Sequence, residues 1–131
     1  MTAGDKGCYQ LLIRLDKTRR IRIGKLGLFS FPRGWYVYTG SAMNGLSARI
    51  SRHLRKRKKR HWHIDYFLDY ARVVGIKTYP GDAPRECEIN AHTFQRPDAE
   101  IIVKKFGSSD CRCRTHLAYF PSKPNLPFEV K

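Results

Sequence analysis

Apolar and polar side chains alternate in short runs over the first 40 residues, and this pattern predicts strands. Residues 9–15 are rich in aliphatic side chains and lead into a polar Asp-Lys-Thr tripeptide, which indicates a strand followed by a turn. Residues 21–23 alternate and predict a second short strand. Residues 27–34 end in a Pro-Arg-Gly tripeptide, so we expect a loop or wide turn there. Residues 35–38 are aromatic or β-branched and predict a third strand, whose successive side chains face opposite sides.

Apolar positions spaced four residues apart predict helices in the middle of the chain. Leu46, Ile50 and Leu54 repeat at this spacing, and Ser41 or Asn44 stands where an N-cap is expected. The later predicted elements are, in order, a helix over residues 64–71, a strand over 73–79, a helix that Asp82 caps and that has Pro84 in its first turn, and short strands over 101–103 and 117–120.

This order of elements predicts a small α+β domain in which helices flank a mainly antiparallel sheet. A chain of 131 residues has the usual size of one domain, and no internal repeat divides it. We therefore expect residues 1–131 to form a single domain. Residues 121–131 contain prolines at positions 124 and 127, and we expect them to form a short irregular extension.

Charge narrows the class of partner. The chain has 26 Lys and Arg residues against 11 Asp and Glu residues, a surplus of 15 positive charges. Such a surplus raises the encounter rate with polyanions, so we expect a nucleic acid partner, DNA in the first place and RNA as an alternative. No apolar run of about 18 residues suits a membrane span, and the first residues lack the pattern of a secretory signal. We therefore expect no membrane partner and a cytoplasmic location.

The densest positive charge follows the first predicted helix and predicts a nucleic-acid-binding surface. Its side chains can replace the counterions condensed along a phosphate backbone, and its tryptophan can stack on an unpaired base. No segment indicates a helix-turn-helix or a zinc finger, so we expect recognition of a DNA structure or lesion rather than of a long sequence. The residues predicted to bind are Arg52, Arg55, Lys56, Arg57, Lys58, Lys59, Arg60, His61 and Trp62.

Residues with catalytic chemistry occur in one order along the chain. Gly7-Cys8-Tyr9 precedes Tyr38-Thr39-Gly40, and Arg49 and His53 follow on the first predicted helix. This ordered set resembles the paired tripeptides of the GIY-YIG nuclease superfamily and the residues that follow them. Each tripeptide alone is weak evidence, whereas the order of the whole set is specific.

The resemblance extends over most of the chain, roughly residues 7–120. Residues 85–89 resemble the glutamate-bearing helix of the superfamily, and residues 106–117 are similar to the end of its Uri-like branch. The resemblance implies a GIY-YIG-like fold and a metal-dependent endonuclease that hydrolyses DNA phosphodiester bonds, with a role in DNA repair. The alternative is a noncatalytic module that binds DNA or RNA on the same scaffold.

Four side chains in these motifs are candidate catalytic groups. The resemblance assigns Tyr9 to water activation, which requires nearby positive charge because an unperturbed phenol has a pKa of about 10. Tyr38 can bind the scissile phosphate or hold the water. Arg49 presents a planar fork of donors that suits a phosphate, and His53 can orient the phosphate or protonate the leaving oxygen. The alternatives are core packing for the tyrosines, a solvated surface for Arg49 and a structural role for His53.

A carboxylate is also needed to hold a divalent metal ion. We expect Mg²⁺ or Mn²⁺, because these ions prefer oxygen ligands. Glu86 is the expected ligand from its place in the resemblance, and Glu88 is the reserve. Residues two apart on a helix point about 200° from each other, so the two glutamates cannot easily share one face. Either one can instead be a surface acid.

Small residues complete the expected phosphate contacts. Gly40 has no Cβ, so a phosphate or the facing strand can approach its backbone closely, and Ser41 follows it. Ser108 and Ser109 come after Gly107 and can place a polar group beside the phosphate. Their alternative is an ordinary turn.

The four cysteines of the chain raise the question of zinc. Cys111 and Cys113 lie close to His116 in sequence, yet Cys-Arg-Cys lacks the two-residue spacing that is typical of zinc sites. We therefore do not expect a structural zinc ion, and we expect reduced thiols in a cytosolic protein.

Overall fold

The computed structural model describes residues 5–56, 59–108, 113–125 and 129–130. A short 3₁₀ turn (Gly24–Leu26) joins the second and third strands. The helices and strands are, in chain order, β1 (Gly7–Leu15), β2 (Arg19–Ile23), β3 (Gly27–Phe31), β4 (Gly34–Ala42), α1 (Leu46–Leu54), α2 (His63–Phe67), β5 (Arg72–Pro80), α3 (Glu86–Phe94), β6 (Glu100–Ile101), β7 (Leu117–Phe120) and β8 (Glu129–Val130).

The main sheet has six strands in the order β6-β7-β4-β1-β5-β8, and every neighbouring pair is antiparallel. The long strand β1 lies in the middle and pairs with β4 on one side and β5 on the other. Strands β2 and β3 form a separate two-stranded sheet. The predicted α+β fold with a mainly antiparallel sheet and flanking helices is confirmed. Within the described residues, no helix is both long and apolar enough to span a bilayer.

The two faces of the sheet carry separate apolar clusters. Tyr36 and Tyr38 face the larger cluster, which alternate residues of β1 join and to which residues of α1 and α2 contribute. Val37 faces the smaller cluster, against which Trp35 of β4 and Phe94 of α3 pack. The predicted alternation along β4 is therefore confirmed, because successive side chains of a strand point to opposite faces. This alternation places the tyrosines of the motifs on the face that α1 covers.

The loop predicted over residues 27–34 is wrong, because most of this segment is strand β3. Phe31 is fully buried and Phe29 packs against the larger cluster, whereas Leu28 and Ser30, which alternate with them, are exposed. This alternation makes the segment a hairpin partner for β2. The glycine and proline signals mark the ends of the strand rather than a continuous loop.

Both predicted helix caps are also wrong. Gly45 occupies the N-cap position of α1, and its φ of 141° lies in the region that only glycine adopts readily. The carboxylate of Asp5 accepts hydrogen bonds from the backbone N–H and the hydroxyl of Ser47, at 3.1 and 2.8 Å, and so performs the capping function from 42 residues away. Helix α3 begins at Glu86 after an Arg85 N-cap that makes no side-chain capping bond among the described residues, so Asp82 does not cap it.

Three other predicted elements differ in extent. The helix predicted over residues 64–71 is the shorter α2, which ends at Phe67 and continues as turns. The strand predicted over 101–103 is β6, which covers Glu100–Ile101. The predicted irregular extension contains β8, which pairs with Gly75 and Ile76 at the edge of the sheet. Unpaired backbone groups of an edge strand favour such an addition.

Candidate active site

Tyr9 and His53 form the centre of the candidate site. The Tyr9 hydroxyl and Nε2 of His53 lie 2.6 Å apart, and both side chains are buried. The Tyr38 ring lies 6.3 Å from the Tyr9 ring and 6.1 Å from the His53 ring, measured between centroids. Strands β1 and β4 therefore bring the two motif tyrosines together, and α1 brings the histidine onto them.

Burial keeps the Tyr9 phenol protonated. Burial raises the pKa of Tyr9 to about 12, although the charge and hydrogen bond of Arg49 act in the opposite direction. The expectation that Arg49 favours the ionised phenol is right in direction, but burial outweighs it. Burial also raises the pKa of Tyr38 well above its usual value. A protonated Tyr9 can donate this hydrogen bond to the His53 tautomer that has its lone pair on Nε2.

Gly40 makes room for the Tyr9 hydroxyl. The two residues are direct partners in the β1–β4 ladder. A Cβ at position 40 would lie 2.6 Å from the Tyr9 hydroxyl oxygen and 2.8 Å from its ring, which is too close for any real contact. The facing strand, through its tyrosine, therefore uses the space that the missing side chain leaves. Gly40 positions the phenol.

Ser41 links Arg49 to Glu86. Nη1 of Arg49 donates a hydrogen bond of 2.8 Å to the backbone carbonyl of Ser41, and the Ser41 hydroxyl donates one of 2.9 Å to Oε2 of Glu86. Arg49 lies on α1, and Glu86 is the first residue of α3. The end of β4 therefore joins groups from two helices that are far apart in sequence.

The two glutamates of α3 differ in position. Glu86 is half-buried and bonds to Ser41, whereas the Glu88 side chain is 73% exposed and lies 3.6 Å from Arg85. Glu86 faces the candidate site, and Glu88 faces solvent. This difference follows from the helical rotation of about 200° between residues two apart.

Trp62 supports two arginines. The guanidinium groups of Arg49 and Arg52 lie 4.3 and 4.4 Å from the centroid of the Trp62 ring, within the range of cation–π attraction. The indole is half-buried and already has these contacts in the free protein. Its position therefore supports Arg49, in addition to the base stacking that the sequence suggests.

Asp65 is an important residue that the sequence analysis missed. It is fully buried and accepts two hydrogen bonds from Arg52, at 2.8 and 2.9 Å, and two more from the backbone N–H groups of His61 and Trp62. Burial acts to raise the pKa of Asp65, but these donors prevail and the pKa is lowered. Its place in the first turn of α2, three residues after the N-cap Trp62, was a signal that sequence reasoning could have used.

A family comparison places this site in context. The family model of a domain of unknown function, DUF123, matches residues 8–131. The chain belongs to the DUF123 family. No curated protein and no solved structure matches the chain. The DUF123 match includes every residue of the site described above, from Tyr9 to Glu86.

The basic run of this DUF123 domain, residues 55–60, contributes exposed cations beside α1. Arg55, Lys56, Lys59 and Arg60 are exposed, and Arg60 bonds to Asp69 at 2.6 Å. By contrast, Arg52 is largely enclosed, with 18% of its side chain exposed, and its guanidinium is bound to Asp65. Of the residues predicted to bind nucleic acid, Arg57, Lys58 and Ser109 lie outside the described residues.

The remaining predicted contact residues of the DUF123 domain have mixed positions. His61 is exposed. Ser108 is buried, and its hydroxyl has no hydrogen-bond partner among the described residues. Next to it, the backbone N–H of Gly107 donates a hydrogen bond of 2.8 Å to Nδ1 of His63. Burial lowers the pKa of His63, which favours the neutral ring that this bond requires.

Proposed function

We propose that this protein is a metal-dependent DNA endonuclease of the GIY-YIG type, closest to the Uri-like branch. The observation that carries the proposal is the convergence at the end of β4, where Ser41 binds both Arg49 and Glu86 and where Gly40 holds the Tyr9 hydroxyl next to His53. A phenol, an imidazole, a guanidinium and a carboxylate supply the groups that phosphodiester hydrolysis requires.

Tyr9 and His53 act together as the base. The Tyr9 oxygen accepts a proton from the attacking water while its own proton passes to Nε2 of His53 along their 2.6 Å hydrogen bond. The water oxygen then bonds to phosphorus, the bond from phosphorus to the leaving oxygen breaks, and the leaving oxygen takes a proton from solvent. This route never requires a free phenolate, in agreement with the raised pKa of Tyr9.

Arg49 binds the phosphate and opens the site. Its guanidinium bonds to the Ser41 carbonyl and acts to lower the pKa of Tyr9, so it lies near the phenol in the free protein. A DNA phosphate attracts the same guanidinium, because charge-assisted bonds to a phosphate are stronger than a bond to a neutral carbonyl. Movement of Arg49 onto the phosphate exposes the Tyr9 hydroxyl to the water.

Glu86 holds the metal ion, with Mg²⁺ or Mn²⁺ as the expected species. The half-buried carboxylate accepts one hydrogen bond from Ser41 and retains further acceptor capacity, which fits an oxygen-preferring cation. When bound, such a cation stabilises negative charge on phosphate oxygens. A single carboxylate makes a weak site, so Glu86 would need substrate phosphate and water as further ligands to hold such a cation tightly.

The exposed cations near α1 bind the DNA backbone. Arg55, Lys56, Lys59 and Arg60 lie just beyond the helix that carries Arg49 and His53, so they can hold a duplex against the site. Phosphate contacts position DNA without reading its sequence. We therefore propose a substrate defined by structure or damage. From the sequence analysis we also propose a role in DNA repair and a cytoplasmic location.

The test is cleavage of labelled duplex, single-stranded, nicked and damaged oligonucleotides with Mg²⁺ or Mn²⁺. Chelation should abolish cleavage, Tyr9→Phe should lower the rate about 10²-fold or more, and Glu86→Gln should lower it by at least a similar factor. Glu88→Gln is the matched control on the same helix and should leave the rate unchanged. Circular dichroism should show that each variant remains folded.

One outcome would contradict the choice of metal ligand, and another would contradict the nuclease itself. If Glu88→Gln abolishes cleavage and Glu86→Gln does not, the metal ligand is wrong. If the wild-type protein binds these oligonucleotides without cutting any of them, the second candidate holds, a noncatalytic DNA- or RNA-binding module. The exposed cations and the surplus of 15 positive charges favour that candidate equally well.

A further inference from the structure

Three metal-ligating side chains from separate parts of the chain meet near the first turn of α3. They are Cys87 on α3, Cys113, and His116 just before β7. One ligand atom from each lies within 4.8 Å of the other two. The two cysteines are half-buried, and the histidine is buried. The spacing of Cys111 and Cys113 indicated no zinc site, but spacing along one segment cannot reveal a ligand that another helix supplies.

His116 is held in the orientation and tautomer of a metal ligand. Its Nδ1 lies 2.9 Å from the backbone carbonyl of Thr39, which can only accept, so Nδ1 carries the proton and donates. The lone pair of the neutral ring is then on Nε2, which lies 3.9 Å from Sγ of Cys87. A backbone carbonyl that fixes the far nitrogen is the usual support of a metal-binding histidine.

The backbone of His116 is fixed as well. Its N–H donates to the carbonyl of Phe106 at 2.7 Å, and its carbonyl accepts from the N–H of Thr39 at 3.1 Å. Nearby, the side chain of Asn90 on α3 donates a hydrogen bond of 2.7 Å to the carbonyl of Thr115. The imidazole therefore stands on a rigid segment, and the helix that carries Cys87 is held beside it.

We propose that Cys87, Cys113 and His116 bind a structural zinc ion. Tetrahedral zinc with Zn–S bonds of about 2.3 Å and Zn–N bonds of about 2.0 Å places sulfur about 3.5 Å from nitrogen and about 3.8 Å from a second sulfur. Sγ of Cys87 and Nε2 of His116 lie 3.9 Å apart and all three ligand atoms lie within 4.8 Å of one another, so they must approach by about 1 Å or less to reach these values. Two thiols release their protons on binding, the imidazole binds as the neutral base, and a water molecule or another donor completes the tetrahedron.

Zinc is the expected metal because thiolates are soft ligands. Two thiolates and an imidazole select zinc over magnesium or manganese, which prefer oxygen. The site is thus distinct from Glu86, although Cys87 follows it directly. Bound zinc would fix the first turn of α3 against the segment that precedes β7, and in this way hold Glu86 at the end of β4.

The first measurement is the metal content of the purified protein by elemental mass spectrometry. We expect about one zinc ion per chain, and at least about a tenfold loss in Cys87→Ser and in Cys113→Ser. Cys8→Ser is the matched control, because Cys8 is a buried cysteine whose sulfur accepts a hydrogen bond from the Arg85 N–H and is not part of the cluster. It should keep the wild-type zinc content.

A second measurement does not depend on how the variants fold. Cobalt added to the metal-free wild-type protein should give the thiolate charge-transfer and visible bands of a tetrahedral site, and zinc should remove them. Removal of zinc should lower the unfolding temperature by about 5 °C or more. A folded wild-type protein that carries no zinc and takes up no cobalt would overturn the proposal. So would a disulfide between Cys87 and Cys113 in the native protein. These readouts use no DNA, so they remain informative if no nuclease activity is found.

Discussion

At the scale of single residues, the surroundings of Tyr9 decide what its hydroxyl can do. The strand context predicted an aromatic residue in the sheet, and the resemblance predicted a catalytic group. The ring is enclosed in the core, as the strand context predicted, and its hydroxyl bonds to His53, while the catalytic role stays a prediction. Burial raises the pKa of Tyr9 more than Arg49 lowers it, so the phenol acts as a proton relay in the proposed reaction.

Gly40→Ala tests how closely Tyr9 is positioned. The new Cβ would lie 2.6 Å from the hydroxyl oxygen, so the ring must move by roughly 1 Å. A displacement of this size in a catalytic group can lower the rate about 10²-fold, and we expect that loss in a cleavage assay. A fold that circular dichroism shows to be intact, together with unchanged cleavage, would mean that the position of Tyr9 does not matter.

The buried phenols predict a loss of stability in alkali. The folded pKa of Tyr9 is about 12, above the unfolded value of about 10, so its contribution is fully present below pH 10 and is lost as pH rises towards 12. We expect the urea midpoint of the wild-type protein to fall over this window and to fall less in Tyr9→Phe. Tyr70→Phe, at a ring that is 47% exposed, should behave like the wild-type protein. Equal curves for wild-type and Tyr9→Phe would contradict the effect of burial.

At the scale of elements, the periodicity of apolar residues located most helices and strands but not their ends. Strand β3 was missed because the Gly and Pro signals were given more weight than the alternation of Phe29 and Phe31. The cap of α1 was missed because the acceptor that caps it, Asp5, precedes β1 in the chain. Asp65 shows the same limit, because its buried bonds to Arg52 depend on how α1 and α2 meet.

Asp5→Ala tests the remote cap. Loss of the carboxylate leaves the Ser47 N–H without its acceptor at the positive end of the α1 dipole, which should cost about 1 kcal/mol of unfolding free energy. Asn44→Ala is the matched control, since the exposed Asn44 is one of the two residues that the sequence predicted as the cap. Its change should stay within about 0.5 kcal/mol. Denaturant titration of both variants measures the difference. A larger loss of stability in Asn44→Ala than in Asp5→Ala would mean that Asn44, not Asp5, caps the helix.

At the scale of the whole molecule, the positive charge is not evenly available. Arg52 is bound to Asp65 and supports the start of α2, whereas Arg55 and Lys56 are exposed beyond the end of α1. The count of cations in the sequence therefore overstates the number that can reach DNA. A long-range field depends on all of the charges, but ion release on binding depends on the exposed ones.

The salt dependence of DNA binding measures the exposed cations directly. Each of Arg55→Gln and Lys56→Gln should reduce the slope of log K against log salt by about 0.9, because each removes one phosphate contact on duplex DNA. Lys77→Gln is the control, since Lys77 pairs with Gln10 across β1 and β5 and lies near α3, away from the basic run. A slope that changes equally in all three variants would mean that DNA does not prefer one face of the protein.

The linear order of residues was enough to predict the α+β class, the central strands and the order of the motif residues. These features depend on local periodicity and on residue identity, which a linear pattern carries. Tertiary structure alone decided the pairs that are distant in the chain: Asp5 with Ser47, Ser41 with Glu86, Arg52 with Asp65, and Cys87 with Cys113 and His116. The raised pKa of Tyr9 also depends on tertiary structure, because its ring is buried only when β1, β4 and α1 pack together.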